Sequence, residues 1–128
     1  MQVQEGQVIL VENERITELL PAEEAGKRNL KASGYEEIDL QGKYILPGLI
    51  NMHVHLAGNG KPQKKQRDNE ALVKKIMSNG LTKAIAYNMV CGFAKDELYS
   101  GVTTIRTVGG LGDFDTRLRD DIAAGKKP

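Results

Sequence analysis

Two histidines, His53 and His55, stand two residues apart in His53-Val54-His55, and the chain has no others. On an extended strand, side chains at i and i+2 leave the same face, so both imidazoles are expected to project together, within reach of one ion. Neutral imidazole is a good ligand for zinc and other borderline metals, and a His-x-His pair accepts zinc, manganese, iron or nickel. The surrounding strand is otherwise apolar: Leu49, Ile50, Met52, Val54 and Leu56. An imidazole left unsatisfied in such a place costs about 1–3 kcal/mol. A metal ion would offset that cost. So would ordinary hydrogen bonds between polar residues sharing one side of a strand, and the spacing alone leaves both readings open.

Three other features have a chemical and a plain reading. Arg106 alternates with Ile105 in the β-branched run Val102 to Val108; it either orients a substrate carboxylate or forms a structural ion pair. Gly109-Gly110-Leu111-Gly112 does not match a phosphate-binding P-loop, because no lysine follows at the required place. It is read as a flexible strand exit lining a pocket. Lys61, Lys64, Lys65 and Arg67 form a basic cluster without aromatic partners, which reads as a solvated loop. The single cysteine, Cys91, rules out an internal disulfide and reads as a small core residue among apolar helical neighbours.

The elements that must position these residues change character near Pro47-Gly48. Before it come short strands: Val8 to Val11, a polar turn at Glu12-Asn13-Glu14, then Ile16 to Leu20, which together read as a hairpin. Pro21 to Gly34 reads as a loop with a helical turn around Glu23 to Gly26. Glu36 to Leu40 and Lys43 to Leu46 are expected as two further strands around the turn Gln41-Gly42. After Gly48 the pattern is strand, helix, helix, strand, helix. The strand Leu49 to Leu56 is followed by a break at Gly58-Asn59-Gly60. Leu72, Val73, Ile76 and Met77 share one helical face, with Gly80 as the stop. Leu81, Ala84, Ile85, Met89 and Phe93 define the face of the next helix, which Gly101 ends. Val102 to Val108 is expected as a strand buried on both faces. A last helix through Leu118 and Ile122 is capped by Asp113 or Asp115 and stopped by Gly125.

A strand, a helical crossover and a second strand make a βαβ unit with parallel strands. Two such strands leave unpaired edges on a strand type usually found buried. The sequence is therefore expected to be an incomplete domain, either one segment of a longer chain or a truncated product that folds by oligomerisation or swapping. With 128 residues, 40% hydrophobic and 27% charged, it suits one ordinary domain or pieces of two. A net charge of +1 argues against a nucleic-acid or membrane partner. No apolar run approaches the roughly 20 residues of a membrane span. The polar start lacks a signal-peptide pattern, and a cytoplasmic location and homo-oligomeric assembly are expected.

The stretch Pro47-Gly48-Leu49-Ile50-Asn51-Met52-His53-Val54-His55-Leu56 resembles the signature of the amidohydrolase superfamily, Pro-Gly-Leu-Ile-Asp-x-His-x-His. The lead-in Ile38 to Leu46 is similar to the usual entry from that family's small β domain. Gly101-Val102-Thr103-Thr104-Ile105-Arg106-Thr107-Val108-Gly109-Gly110 is similar to the second barrel strand of its imidazolonepropionase-related and Xaa-Pro dipeptidase-like branch. The resemblance implies an α/β fold: part of a composite β-sandwich over residues 1–47, then the first β/α units of an incomplete TIM (β/α)8 barrel over residues 48–128. It implies a metal-dependent hydrolase that uses metal-activated water on C–N bonds of small-molecule amide, cyclic amide or dipeptide-like substrates. His53 and His55 would be the first ligands of one or two divalent ions, most often zinc. The later ligands and the catalytic acid–base residue have no counterpart here, so the isolated chain is expected to be inactive. Asn51 and Thr107 each stand where the family or branch usually has aspartate.

Overall fold

A computed structural model describes residues 2–58, 60 and 68–127 of the chain. The basic cluster at Lys61, Lys64, Lys65 and Arg67, and the middle of the Gly58-Asn59-Gly60 break, lie outside the described residues. Among the described residues the fold is mixed α/β, with two small sheets and four helices, in two compact units, Met1–Ile45 and Leu46–Pro128.

The first unit is built on the expected hairpin. Strand β1 (Gln7–Glu12) pairs antiparallel with β2 (Arg15–Pro21). The connection is the two-residue loop Asn13-Glu14, with φ of 48° and 64°. Positive φ at both central positions matches the right-handed twist of the flanking strands. Helix α1 (Ala22–Lys27) follows at the expected helical turn and places Ala25 against Leu10 and Leu20, with Val8, Leu30 and Tyr35 packed around them. Arg28 donates to Glu18 at 2.7 Å and to Glu24 at 2.6 Å, tying β2 to α1.

The two strands expected at Glu36–Leu40 and Lys43–Leu46 do not form, although the turn between them does. Gln41 and Gly42 take φ of 53° and 76°, and Lys43 N–H donates to the Leu40 carbonyl at 3.0 Å. The Asp39 carboxylate accepts from Gln41 N–H at 2.8 Å, a local side-chain bond that competes with a ladder. The apolar residues on either side, Ile38, Tyr44, Ile45 and Leu46, are exposed. Without an apolar surface to bury against, alternation alone does not hold a hairpin together.

In the second unit, β3 (Leu49–Val54) and β4 (Val102–Thr107) pair in parallel, as a helical crossover requires. Ile50 stands opposite Thr104, Asn51 opposite Ile105 and Val54 opposite Thr107, with the register shifting between Asn51 and Val54. The regular strand ends at Val54, two residues short of the expected Leu56, so His55 lies just past it. The crossover is α2 (Asn69–Met77) followed by α3 (Gly80–Tyr99). Gly80 is not a stop: it is the first residue of α3. Asn79, in extended conformation, caps α3 by accepting from Thr82 N–H at 2.9 Å. Thr82 Oγ1 donates back to the Ile76 carbonyl at 2.6 Å, so two helices join at one corner. Helix α4 (Phe114–Ala123) starts at Asp113, whose side chain makes no cap bond, and ends before Gly125 at φ 66°.

The core consists of Val54 and Leu56 from the β3 segment, Ala86, Tyr87 and Val90 from α3, and Phe114 and Leu118 from α4. Cys91 and Ile105 pack on its margin, in keeping with the core reading of the thiol. The face of α3 differs from the expected one: Leu81, Ile85 and Met89 are 73%, 54% and 55% exposed. The buried side lies about one residue further round, roughly 100°. Apolar groups occur all round this helix, and Tyr87 settles its orientation. Its hydroxyl donates to Asp121 on α4 at 2.5 Å, its ring lies 5.6 Å from that of Phe114, and the Arg117 guanidinium sits 4.0 Å over it. Burial, then the bond to Asp121, raises the Tyr87 pKa. The same bond, helped by Lys126 and Arg117, holds the Asp121 carboxyl below its ordinary value against the opposing effect of desolvation. Strand β4 also departs from expectation, since none of its residues is buried. Helices α3 and α4 pack on the side of the β3–β4 pair that carries Val54 and Ile105, and within this unit no other described element packs on the opposite side.

Candidate functional site

That one-sided covering decides where the histidines point. Val54 and Leu56 are 5% and 2% exposed, turned into the helices. By alternation His53 and His55 turn the other way, and both are exposed. Their ring centroids lie 5.2 Å apart, with the planes at 63°. On β4, Ile105 packs on the helix side, so Arg106, the next residue, leaves the open face with the histidines. It is exposed, and among the described residues it has no ion-pair partner. The structure thus brings the three residues singled out from sequence to one face.

Hydrogen bonds hold the local backbone. Asn51 Oδ1 accepts from His53 N–H at 3.2 Å, filling with a neutral amide the position where the resembled signature has a carboxylate. Nδ1 of His55 lies 3.1 Å from the Gly109 carbonyl at the exit of β4. Beside the pair is a cavity of about 790 Å³, lined by His53, His55, Gly58, Gly60, Phe93, Asp96 and Glu97 among others. Sequence reasoning missed Asp96 and Glu97, because nothing in their spacing from His55 signals that α3 brings them to the same hollow. The flexible strand exit expected at Gly109 also brings its carbonyl to His55, and a glycine run after a strand is a usual mark of such close backbone approach.

Two imidazoles on one tetrahedral ion, with metal–nitrogen distances of roughly 2.0–2.1 Å, have ring centres about 5 Å apart. The observed 5.2 Å fits that requirement. The set stops at two, however: among the described residues no group of three or more His, Cys, Asp or Glu could hold a metal ion. No helix among them is long and apolar enough to cross a membrane.

The chain is 33% identical over 132 residues to an imidazolonepropionase of Pseudoalteromonas atlantica, covering 91% of this chain and 31% of that protein. It is 29% identical over 122 residues to an imidazolonepropionase of Salmonella paratyphi A, covering 84% of this chain and 29% of that protein. A dihydroorotase of Trichlorobacter lovleyi is 42% identical over 57 residues, covering 44% of this chain and 12% of that protein. The chain therefore spans about a third or less of the length of these curated relatives. No family model matches it, and no solved structure does. Proteins of both names are amidohydrolase superfamily members that hydrolyse C–N bonds, and the likeness supports that superfamily for this chain.

Proposed function

We propose that this chain carries the first two metal ligands, His53 and His55, of a hydrolase acting on C–N bonds of small amides, cyclic amides or peptide-like molecules. The observation that carries the reading is the 5.2 Å spacing of two imidazoles on the open face of a parallel strand pair. Helices behind and histidines in front is also the arrangement of a (β/α)8 barrel, whose active sites lie at the C-terminal ends of the strands. A divalent ion, zinc foremost, would supply activation of water and polarisation of the scissile carbonyl. The chain's own residues do the rest that is present. Asn51 braces the backbone at His53, and Arg106, on the same face, would meet a substrate carboxylate. On this reading the remaining ligands and the acid–base residue lie outside these 128 residues.

Calorimetric titration with zinc tests it. The wild-type chain is expected to bind one ion weakly, at micromolar order or poorer, because a two-ligand set is incomplete. The His53→Ala/His55→Ala variant is expected to show no saturable heat. Identical curves for the two proteins would remove the histidines as ligands.

One observation favours a second reading. Leu49, Ile50 and Met52 of β3 are exposed, an apolar patch on a strand type usually covered. A non-catalytic product would bury it by homo-oligomerisation or swapping. Sedimentation across a concentration series is then expected to show a dimer or larger species, and a monomer throughout would exclude it.

A further inference from the structure

We propose that Gly109 is a positioning residue that fixes the tautomer of His55. The inference rests on the reading of His55 as a metal ligand only for its purpose; the contact stands on its own geometry. Residues 55 and 109 meet because β3 and β4 are in parallel register: Val108 N–H donates to the Val54 carbonyl at 3.1 Å. This bond lies just past the end of β4, and it sets the next residue of each segment side by side. The Gly109 carbonyl then lies 3.1 Å from His55 Nδ1.

A carbonyl oxygen can only accept, so the ring nitrogen facing it carries the proton, and the lone pair of a neutral imidazole is left on Nε2. Metal-bound histidines generally hold their other nitrogen in this way, which orients the ring and raises its basicity. The missing side chain at position 109 is part of the device. A Cβ there would stand 3.3 Å from Cε1 of the ring, slightly closer than ordinary contact, and 3.4 Å from Nδ1. A side chain at this position therefore requires the ring or the strand exit to give by a few tenths of an ångström. For His53 no ring hydrogen bond occurs among the described residues, which makes it the comparison ring for His55.

Long-range proton–nitrogen NMR of the metal-free chain at a pH of about 8.5, well above the ordinary imidazole range, reads the tautomer directly. The variant His53→Ala assigns the two rings. The wild type is expected to show His55 protonated at Nδ1. Gly109→Ala is expected to shift it towards the Nδ1/Nε2 mixture of His53, with an otherwise native amide spectrum, and to weaken zinc binding about tenfold or more. A wild-type His55 protonated at Nε2 overturns the proposal. So does a folded Gly109→Ala chain with an unchanged tautomer. If that variant fails to fold, the wild-type spectrum decides alone. The expected tautomer in a chain that binds no zinc upholds the Gly109 contact and sinks the metal-site reading instead.

Discussion

Supplied with zinc and a panel of simple amides, cyclic imides and dipeptides, the purified chain is expected to show no hydrolysis above its His53→Ala/His55→Ala variant. Catalytic zinc sites usually hold their ion with three protein ligands and keep the fourth position for water. Here two imidazoles are in place, and among the described residues no third potential ligand joins them. A two-ligand ion is weakly held, and on the proposed reading the group that moves the proton during attack on a carbonyl lies elsewhere in the complete enzyme. Enzymes accelerate their reactions by a factor on the order of 10⁶ or more, so the expected deficit is the whole of that enhancement. The assay is discriminating because the double variant controls for free zinc. Metal-dependent turnover that disappears in that variant would overturn the half-site. Asp96 and Glu97, which line the same cavity, would then be the first residues to test as the base.

The parts of the site readable in the sequence are those governed by a short, rigid period. His53 and His55 share a face because side chains alternate along an extended segment, which here continues past the end of β3 at Val54. The hairpin at Asn13-Glu14 and the parallel pairing of β3 with β4 follow from loop length and from the crossover in the same local way. What was not readable depends on partners distant in sequence. The outward Leu81-Ile85-Met89 stripe is as apolar as the buried side of α3, and only the contacts of Tyr87 with Phe114 and Asp121 choose between them. Lys43 to Leu46 has strand composition but, among the described residues, no strand pairs with it. The capping role of Asn79 outweighed the helix-stop signal of Gly80, because a cap bond acts at one residue whereas a glycine only lowers propensity. Gly109 belongs to the same class: its meaning depends on a ring 54 positions away.

Gly48→Ala is expected to destabilise the second unit by about 3 kcal/mol, at the upper end for an overpacked site. The reason is close approach and not backbone angle, since Gly48 is absent from the positive-φ glycines. A Cβ at this position would lie 2.7 Å from Cβ of Thr103 and closer still to its Oγ1 and Cγ2. The far end of a side chain can rotate away, but Thr103 Cβ is fixed by the β4 backbone, so the strands themselves must separate. They would separate where Leu49 N–H donates to the Gly101 carbonyl at 2.9 Å, the start of the register that later brings His55 beside Gly109. The Pro-Gly lead-in to the histidines is thus a packing requirement of the sheet that aims them. Urea unfolding followed by the helical circular-dichroism signal measures the effect, because α2, α3 and α4 all lie in this unit. Thr103→Gly alone is expected to cost about 1 kcal/mol for a glycine within a strand. The double variant removes the three atoms nearest to the new methyl. Its loss should therefore fall short of the summed single losses by about 1 kcal/mol or more, with zinc binding recovering alongside. Strictly additive losses would show that Gly48 is needed for some reason other than its contact with Thr103, and would detach the motif from the register of the sheet.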